Sequence, residues 1–440
     1  MQLNHPRPIR GAVAALTAAL LGPGAGLAAD SGSIESSILV YSESDRVKAT
    51  EGVVSLHKDI GKGRTVGAKL TFDGLTGASP NGAAPSRNIQ TFTRPSGNGS
   101  YTAAPGTMPL DDTFKDTRVA GDISLTQPLD RVTFFTIGGH YSTEHDYSSL
   151  GVNGSLTRDF DRRNRTLGIS AAFTHDVSSP EGGVPPAMEP LPRPEVDDDG
   201  EFEGDDDEFE DEDEGRGEDG GQGKNVVDIV LSLSQVIDKK TIARFNYSLS
   251  HASGYLNDPY KFLSVVQSRS EPDPGEPTAY LFENRPRTRN KQAVFGQIRR
   301  YIAGNTVDLS YRYFWDDWGT NSHTVDLFYR QSLGGRFALQ PHLRWYRQSE
   351  ADFYAPYLLN GTTIPEYASA DYRLAPFTAY TFGLKFIFPV SQLVTMSVTG
   401  EYYYQSGDLS PPESLGALSE YELFPVLDVV MVRLGFSYGL

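Results

Sequence analysis

The sequence predicts an all-β protein, a transmembrane antiparallel up-and-down β-barrel of about 16 strands, with short periplasmic turns and long extracellular loops. Three observations support this fold class. Apolar and polar residues alternate along most of the chain. Along the chain, short turns alternate with a second set of connections, most of which are long. Beyond the N-terminus, no run approaches the roughly 18 apolar residues that a membrane-spanning helix needs.

The first 29 residues have the pattern of a cleaved signal peptide. Arg7 and Arg10 precede the eleven apolar residues 11–21, which are too few to span a bilayer as a helix. Small residues then lead to a cleavage site after Ala28 or Ala29. The alternative is a buried helix or an N-terminal anchor. We expect an exported protein whose barrel occupies residues 30–440.

The strands follow from the period-two alternation. The last is the clearest, because Val430, Val432, Leu434 and Phe436 share one face while Arg433 lies on the other. The same pattern places sixteen strands at 36–44, 50–59, 64–73, 116–126, 131–144, 151–160, 165–176, 225–236, 241–254, 290–301, 306–317, 321–332, 336–348, 377–388, 393–405 and 427–438. Most have the length of about 9–11 residues or slightly more that a tilted transmembrane strand requires.

The connections indicate the orientation. Seven connections are short turns. Most of the connections that alternate with them, and so lie at the other end of the barrel, are long, namely 74–115, 177–224, 255–289, 349–376 and 406–426. Short turns face the periplasm in outer-membrane barrels and long loops face outside. Closure is required because backbone groups in lipid must all be paired. A secreted sandwich or propeller is the soluble alternative. Loop 74–115 is expected either to lie outside the barrel or to fold into its lumen, and loops 74–115 and 255–289 are long enough to contain a further hairpin.

The charge of the chain is concentrated in one segment. The net charge is −18, and residues 195–219 contain 17 Asp or Glu and one Arg, a net of −16. Such a run is expected to be disordered, and a polyanion disfavours nucleic-acid binding. Asp197, Asp199 and Asp206 have loosely the spacing of a calcium loop. We expect no cofactor, the alternative being loosely bound Ca²⁺ or Mg²⁺ at this segment. The absence of Cys excludes thiolate sites and cysteine nucleophiles in this chain.

The extracellular rim contains one candidate metal or substrate site. Asp316, Asp317 and His323 flank a very short loop, and Asp352 lies on the next loop but one in sequence. Carboxylate and imidazole groups are common metal ligands. The alternative is that neighbouring Trp residues anchor the membrane interface while the acids face water.

No catalytic constellation is predicted, and we expect a protein that is not an enzyme. Ser437 lies in a G-x-S-x-G sequence, but a nucleophile elbow needs a strand-to-helix turn and this motif falls within a terminal strand.

Charged residues on the face opposite the apolar one are predicted to line a pore. They are Arg244, Asp308, Arg312, Arg330, Arg344, Lys385, Glu401 and Arg433. A closed sheet of about sixteen strands is wide enough for an aqueous channel unless loops fill it. Charges of both signs in such a channel would give it ion selectivity.

Several strings resemble an uncharacterised family of Gram-negative outer-membrane barrels of unknown function. They include residues 73–83 (DGLTGASPNGA), 158–167 (RDFDRRNRTL) and 311–330 (YRYFWDDWGTNSHTVDLFYR). The resemblance covers nearly all of the chain after the signal peptide and departs at about 186–223. It implies an outer-membrane location, and a redox-related or assembly partner for the barrel.

Two functions are therefore expected, and a third is disfavoured. The first is a pore for small solutes or ions in contact with outer-membrane lipid. The second is a non-catalytic scaffold or conduit that holds a periplasmic or lipoprotein partner. An outer-membrane hydrolase is disfavoured because no constellation of catalytic residues was found.

Overall fold

The computed structural model describes residues 32–44, 46–93, 100–180, 182–191, 221–407 and 414–440, apart from the side chains of residues 112–114. In chain order its strands are β1 (Ser33–Glu43), β2 (Lys48–Asp59), β3 (Thr65–Pro80), β4 (Gln90–Thr93), β5 (Ser100–Ala103), β6 (Leu110–Pro128), β7 (Thr133–Thr143), β8 (Tyr147–Phe160), β9 (Arg165–Ser178), β10 (Gln222–Asp238), β11 (Thr241–Gly254), β12 (Phe262–Val266), β13 (Pro277–Phe282), β14 (Thr288–Ile302), β15 (Asn305–Asp316), β16 (Asn321–Leu333), β17 (Phe337–Gln348), β18 (Leu358–Leu359), β19 (Phe377–Pro389), β20 (Val394–Gly407) and β21 (Leu427–Gly439). Three short 3-10 helices lie at Asp161–Arg163, Tyr372–Leu374 and Gly416–Glu420. No helix among these residues has the length and apolar character needed to cross a membrane.

Sixteen of the strands form one closed barrel in the order β1-β2-β3-β6-β7-β8-β9-β10-β11-β14-β15-β16-β17-β19-β20-β21. Every neighbouring pair is antiparallel, and β1 pairs with β21 from Ser33 opposite Gly439 to Glu43 opposite Val429. Because the first strand bonds to the last, the sheet has no open edge in lipid. The predicted fold class and all sixteen predicted strands are confirmed.

Several strands are longer than predicted, and β3 and β6 extend furthest beyond their predicted ends. β3 continues past residue 73 to Pro80, and β6 begins at Leu110 rather than at 116. Pairing survives a bulge between Gly77 and Ser79, where Gly77 has a φ of +133°. A Cβ there would lie 2.4 Å from the carbonyl oxygen of Arg46, so only glycine fits. The Gly- and Pro-rich stretch after residue 73 was therefore wrongly predicted to be a loop. A β-bulge lets its backbone stay hydrogen-bonded to β6 as far as Pro80.

The barrel is apolar on the outside. Val430, Val432, Leu434 and Phe436 of β21 are 55%, 43%, 52% and 38% exposed, and large apolar residues are exposed at alternate positions on other strands as well. A soluble protein would bury this belt, whereas a lipid-facing wall requires it. The inward face of each strand is thereby fixed as the opposite parity.

The short turns use aspartates to close the hairpins. The carboxylates of Asp59, Asp130 and Asp238 each accept a hydrogen bond from the N–H two residues on, at 2.6, 2.7 and 2.7 Å. Asp favours turns because its side chain replaces a backbone acceptor in this way. These side-chain hydrogen bonds therefore satisfy backbone N–H groups in the short turns at the periplasmic end of the barrel.

Two of the long loops contain hairpins of their own. β4 and β5 pair within 74–115, and β12 and β13 pair within 255–289, where β18 adds in parallel to β12. Neither hairpin joins the barrel, so the barrel strand count is unchanged. The predicted signal peptide, residues 1–29, and the acidic segment 195–219 lie outside the described residues.

Candidate functional site: a folded loop plug above a charged lumen

The long loops meet one another across the mouth of the barrel. Loop 81–109 follows β3, the third strand of the closed sheet, whereas loop 255–287 follows β11, the ninth strand. The N–H of Phe262 donates to the carbonyl of Asn81 over 2.8 Å, and the N–H of Ala84 donates to Ser264 Oγ over 2.8 Å. Since these loops leave well-separated parts of a sixteen-stranded ring, their contact spans the opening. We call the described parts of loops 81–109, 255–287, 349–376 and 414–426 the loop plug.

The loop plug has an apolar core. Phe92, which is 1% exposed, packs against the rings of Tyr101, Phe262 and Tyr280 with centroid separations of 5.4, 5.8 and 5.0 Å. Fully burying a side chain of this size stabilises a structure by about 2–3 kcal/mol. The loops are therefore held by a core like that of a small soluble domain.

Six charged residues lie together inside the loop plug. They are the acids Asp258, Glu283 and Asp371 and the bases Lys261, Arg285 and Arg373, so their formal charges cancel. The Arg285 Nη2 donates to Glu283 Oε2 over 2.9 Å and to Asp371 Oδ2 over 2.8 Å. Arg373 pairs with Asp371, at 2.7 Å from Nε to Oδ2, and with Asp258. We call these six residues the ion network.

Burial and pairing perturb the acidity of these groups in opposite directions. Burial lowers the pKa of the Lys261 ammonium to about 8, although the nearby Asp371 carboxylate partly opposes this by raising it. Burial alone would raise the pKa of Asp371, but Arg373 and Arg285 outweigh it and hold that pKa well below its usual range. Burial keeps the pKa of Glu283 above its ordinary value despite Arg285. A buried network of this kind is costly to break because each lost partner leaves an uncompensated charge.

The loop plug also contacts the inward face of the barrel wall. Tyr372 packs against a cluster that includes Tyr41 of β1, Tyr403 of β20 and Val429 of β21. The Gln348 side-chain amide, at the end of β17, donates to the carbonyls of Arg373 and Ala375 over 3.0 and 2.7 Å. The plug is therefore docked on the wall by both apolar and polar contacts.

The segment before the acidic run is attached to the loop plug as well. The N–H of Met188 donates to Phe282 over 3.1 Å, and the N–H of Leu191 donates to Tyr280 over 2.9 Å. Asp197, Asp199 and Asp206, the predicted calcium ligands, lie outside the described residues.

The predicted pore-lining residues lie on inward-facing positions of their strands, opposite in parity to the apolar belt. These are Arg244 of β11, Asp308 and Arg312 of β15, Arg330 of β16, Arg344 of β17, Lys385 of β19, Glu401 of β20 and Arg433 of β21. Some of them are paired. Asp308 binds Arg299 at 2.6 Å, and Glu401 shares His342 with Asp326 at 2.8 and 3.1 Å. The Arg344 side chain lies 3.8 Å from Asp326. Their role in lining a pore stays a prediction.

The candidate rim site is not assembled. Asp316 points inward and binds Arg289 over 2.7 Å, whereas His323 lies on the outward face and bonds to the Tyr311 hydroxyl over 2.7 Å. Asp317 accepts hydrogen bonds from the backbone and side chain of Asn290. The Asp352 side chain lies beside Gly319. Within the described ranges no three His, Asp or Glu side chains come together as a metal site. The period-two geometry of β15 and β16 explains this, since it sends Asp316 and His323 to opposite faces.

Ser437 lies in the regular part of β21, opposite Thr395 of β20 and Glu35 of β1. The backbone there makes no strand-to-helix turn, which a nucleophile elbow requires.

Sequence reasoning missed the ion network and His342 as structural centres. The signal was present, since charged residues stand beside aromatic residues in NDPYKF at 257–262 and ADYRL at 370–374. Charges within a loop are ordinarily exposed, so the pattern by itself does not indicate burial.

One family model matches nearly the whole chain. A family model described as "Protein of unknown function (DUF3570)" matches residues 11–438. The chain belongs to this family. No curated protein matches this sequence significantly. With its closed barrel and apolar outer belt, this member is a protein of the bacterial outer membrane, where its wall contacts lipid.

Several solved structures match most of this chain. A bacterial polysaccharide outer membrane secretin matches at a TM-score of 0.44 and 7% identity, over 94% of this chain and 99% of that one. The monoaromatic hydrocarbon channel CymD matches at a TM-score of 0.39 and 8% identity, over 96% and 92%. The outer membrane protein opdK from Pseudomonas aeruginosa matches at 0.38 and 10% identity, over 93% and 98%.

Proposed function

We propose that this protein is an outer-membrane channel for small solutes or ions, narrowed at its extracellular mouth by the loop plug. The observation that supports the proposal most is the polar, partly water-exposed inward face below the plug. Arg330 and Arg433 are exposed to solvent there. Water-exposed charge on the inner face is typical of the wall of an aqueous channel.

The loop plug restricts what can pass. A closed sheet of sixteen strands is wide enough for an aqueous channel, but loops from well-separated strands bond to one another across its mouth. The route is therefore narrower than the bare barrel, which favours small solutes and low conductance.

Planar-bilayer recording of the purified full-length protein tests the proposal. The wild-type barrel should give small stepwise currents. Replacing residues 259–282 by a short Gly–Ser linker removes β12 and β13 and should raise the conductance several-fold. Arg87→Ala is the matched control, since Arg87 lies in the loop plug but in an exposed ion pair with Glu420 at 3.9 Å. A correctly folded barrel that carries no current with or without residues 259–282 would contradict the channel.

The scaffold function is a second candidate because the periplasmic end is basic. Exposed cations occupy the short turns, namely Lys62, Arg131, Arg162, Arg163, Lys239, Lys240 and Arg336. A surface of this charge fits an acidic periplasmic partner. Affinity purification from outer membranes at low salt should then recover a stoichiometric protein that is released at high salt. Recovery of the barrel with lipid alone would contradict this function.

A further inference from the structure

Three cations lie on alternate neighbouring strands, on the inward face of the lower barrel, which is the half nearer the periplasmic turns. Lys385 of β19 stands opposite Thr399 of β20, which stands opposite Arg433 of β21. Arg330 lies on β16, beyond β17 on the other side of Lys385. Neighbouring strands are about 4.8 Å apart, so Lys385 lies roughly 10 Å from each Arg across the sheet. We call these three residues the cation arc.

Among the described residues, the cation arc has no carboxylate partner. Within the described part of the chain, none of its three side chains has an acidic group at ion-pair distance, and the charges that act on Lys385 are Arg433, Arg330 and Glu35. Two other acids of the inner wall are already engaged. Glu401 bonds to His342 over 2.8 Å, and Asp308 bonds to Arg299 over 2.6 Å and to Gln297 over 2.7 Å. Glu35 and Glu51, which lies two strands from Arg433 on the same row, have no ion pair among the described residues either, so the three unpaired cations outnumber the unpaired acids beside them.

Three like charges on one strip repel one another, and an anion in the lumen would relieve that repulsion. Guanidinium groups bind carboxylate and phosphate oxygens through paired N–H donors, and the Lys ammonium adds a point charge between them. We propose that the cation arc makes this lumen selective for small anionic solutes, with carboxylate or phosphate groups as the recognised chemistry. This inference rests on the proposed channel function and specifies the class of solute.

The expected size of the effect follows from simple electrostatics. A unit charge 10 Å away in water changes the local concentration of a monovalent ion by about twofold, upward for anions and downward for cations. Screening by salt reduces this effect. Removing all three charges should therefore lower the anion-to-cation permeability ratio by roughly threefold to tenfold in dilute salt.

The test is the reversal potential of the full-length protein across a KCl gradient in planar bilayers. Wild type should be anion-selective, and the triple variant Arg330→Gln, Lys385→Gln, Arg433→Gln should lose most of that selectivity. The matched control neutralises Lys62, Lys239 and Arg336, three exposed cations of the periplasmic turns, and should keep it. Heat-modifiable migration in gels confirms that each variant folds.

The outcomes separate this inference from the channel itself. Currents that are cation-selective, or a permeability ratio unchanged in the triple variant, would overturn the cation arc and leave the channel standing. If wild type carries no current, the channel proposal fails. Calorimetry then measures whether the solubilised barrel binds inorganic phosphate at the cation arc. Phosphate binding that the triple variant abolishes would support an anion site, whereas equal or absent binding would reject it.

Discussion

Asp371→Asn should loosen the loop plug without changing its shape. Asp371 is 1% exposed and accepts hydrogen bonds from Arg285 and from two nitrogens of the Arg373 side chain. The amide removes one charge from a network that is balanced, which leaves a net charge of about +1 buried among the loops. Breaking a buried ion pair costs about 3–5 kcal/mol. Because Asn keeps an acceptor oxygen, we expect the lower end, about 3 kcal/mol.

Hydrogen exchange of the plug amides measures this loss directly. A destabilisation of about 3 kcal/mol corresponds to roughly 100-fold faster exchange for amides that exchange by opening of the plug. The amides of β12 and β13 should show the increase, whereas those at the centre of β21 should not, because the barrel wall does not depend on the ion network. The channel conductance should rise in parallel.

The matched control is Asp273→Asn, an exposed acid in the same loop. It makes the same chemical change and should leave exchange within about twofold of wild type, since exposed charges contribute little. A second check is the double variant Asp371→Leu, Arg373→Met, which removes a charge of each sign and should recover part of the loss. If Asp371→Asn leaves exchange in β12 and β13 unchanged, the ion network does not hold the plug.

Three further predictions concern the same structure. Burial lowers the pKa of Lys261 to about 8 from 10.5, so between these values the unfolded loop binds more protons than the folded one and plug stability rises with pH. The difference between wild type and Lys261→Met in denaturant midpoint, measured from pH 7 to pH 10.5, should show that rise, and a flat difference would contradict it. Tyr372→Ala removes a ring packed between plug and wall and should cost the plug about 3 kcal/mol, read as faster proteolysis of the loops, while unchanged cleavage would argue against docking at this point. Leu434→Lys places a charge on the lipid face and should destabilise the barrel by about 2–4 kcal/mol, whereas Ser437→Lys on the inward face of the same strand should not; equal gel melting temperatures for both would refute the assigned parity.

The barrel could be predicted from the sequence because its determinants are local. Period-two alternation decides which face of each strand meets lipid, and the lengths of the connections decide which end faces the periplasm. The assignment of Leu434 to the outside and Arg433 to the inside needed no tertiary information. Strand ends were predicted less well, above all those of β3 and β6, since the bulge at Gly77 continues a ladder through residues that favour turns.

The sites were predicted less well because they depend on residues far apart in sequence. Asp316 and His323 were grouped by the shortness of one loop, but strand parity places them on opposite faces. The pairing of Asp258 with Arg373, 115 residues away, has no local signal in either segment. A charged side chain in a loop is solvated unless distant loops bury it. The sequence of the loop itself contains no pattern that predicts such burial.

The sequence alone thus determined the wall of this protein: its closed topology, its apolar outer belt and the polar character of its lumen. Lipid imposes this outcome, because a strand in a bilayer must present apolar side chains on one face and pair every backbone group. The tertiary structure alone decided what lies inside the wall. Loops from around the ring fold into one plug and bury six balancing charges, and three cations of the lower lumen have no ion-pair partner among the described residues. These relations depend on where distant segments meet.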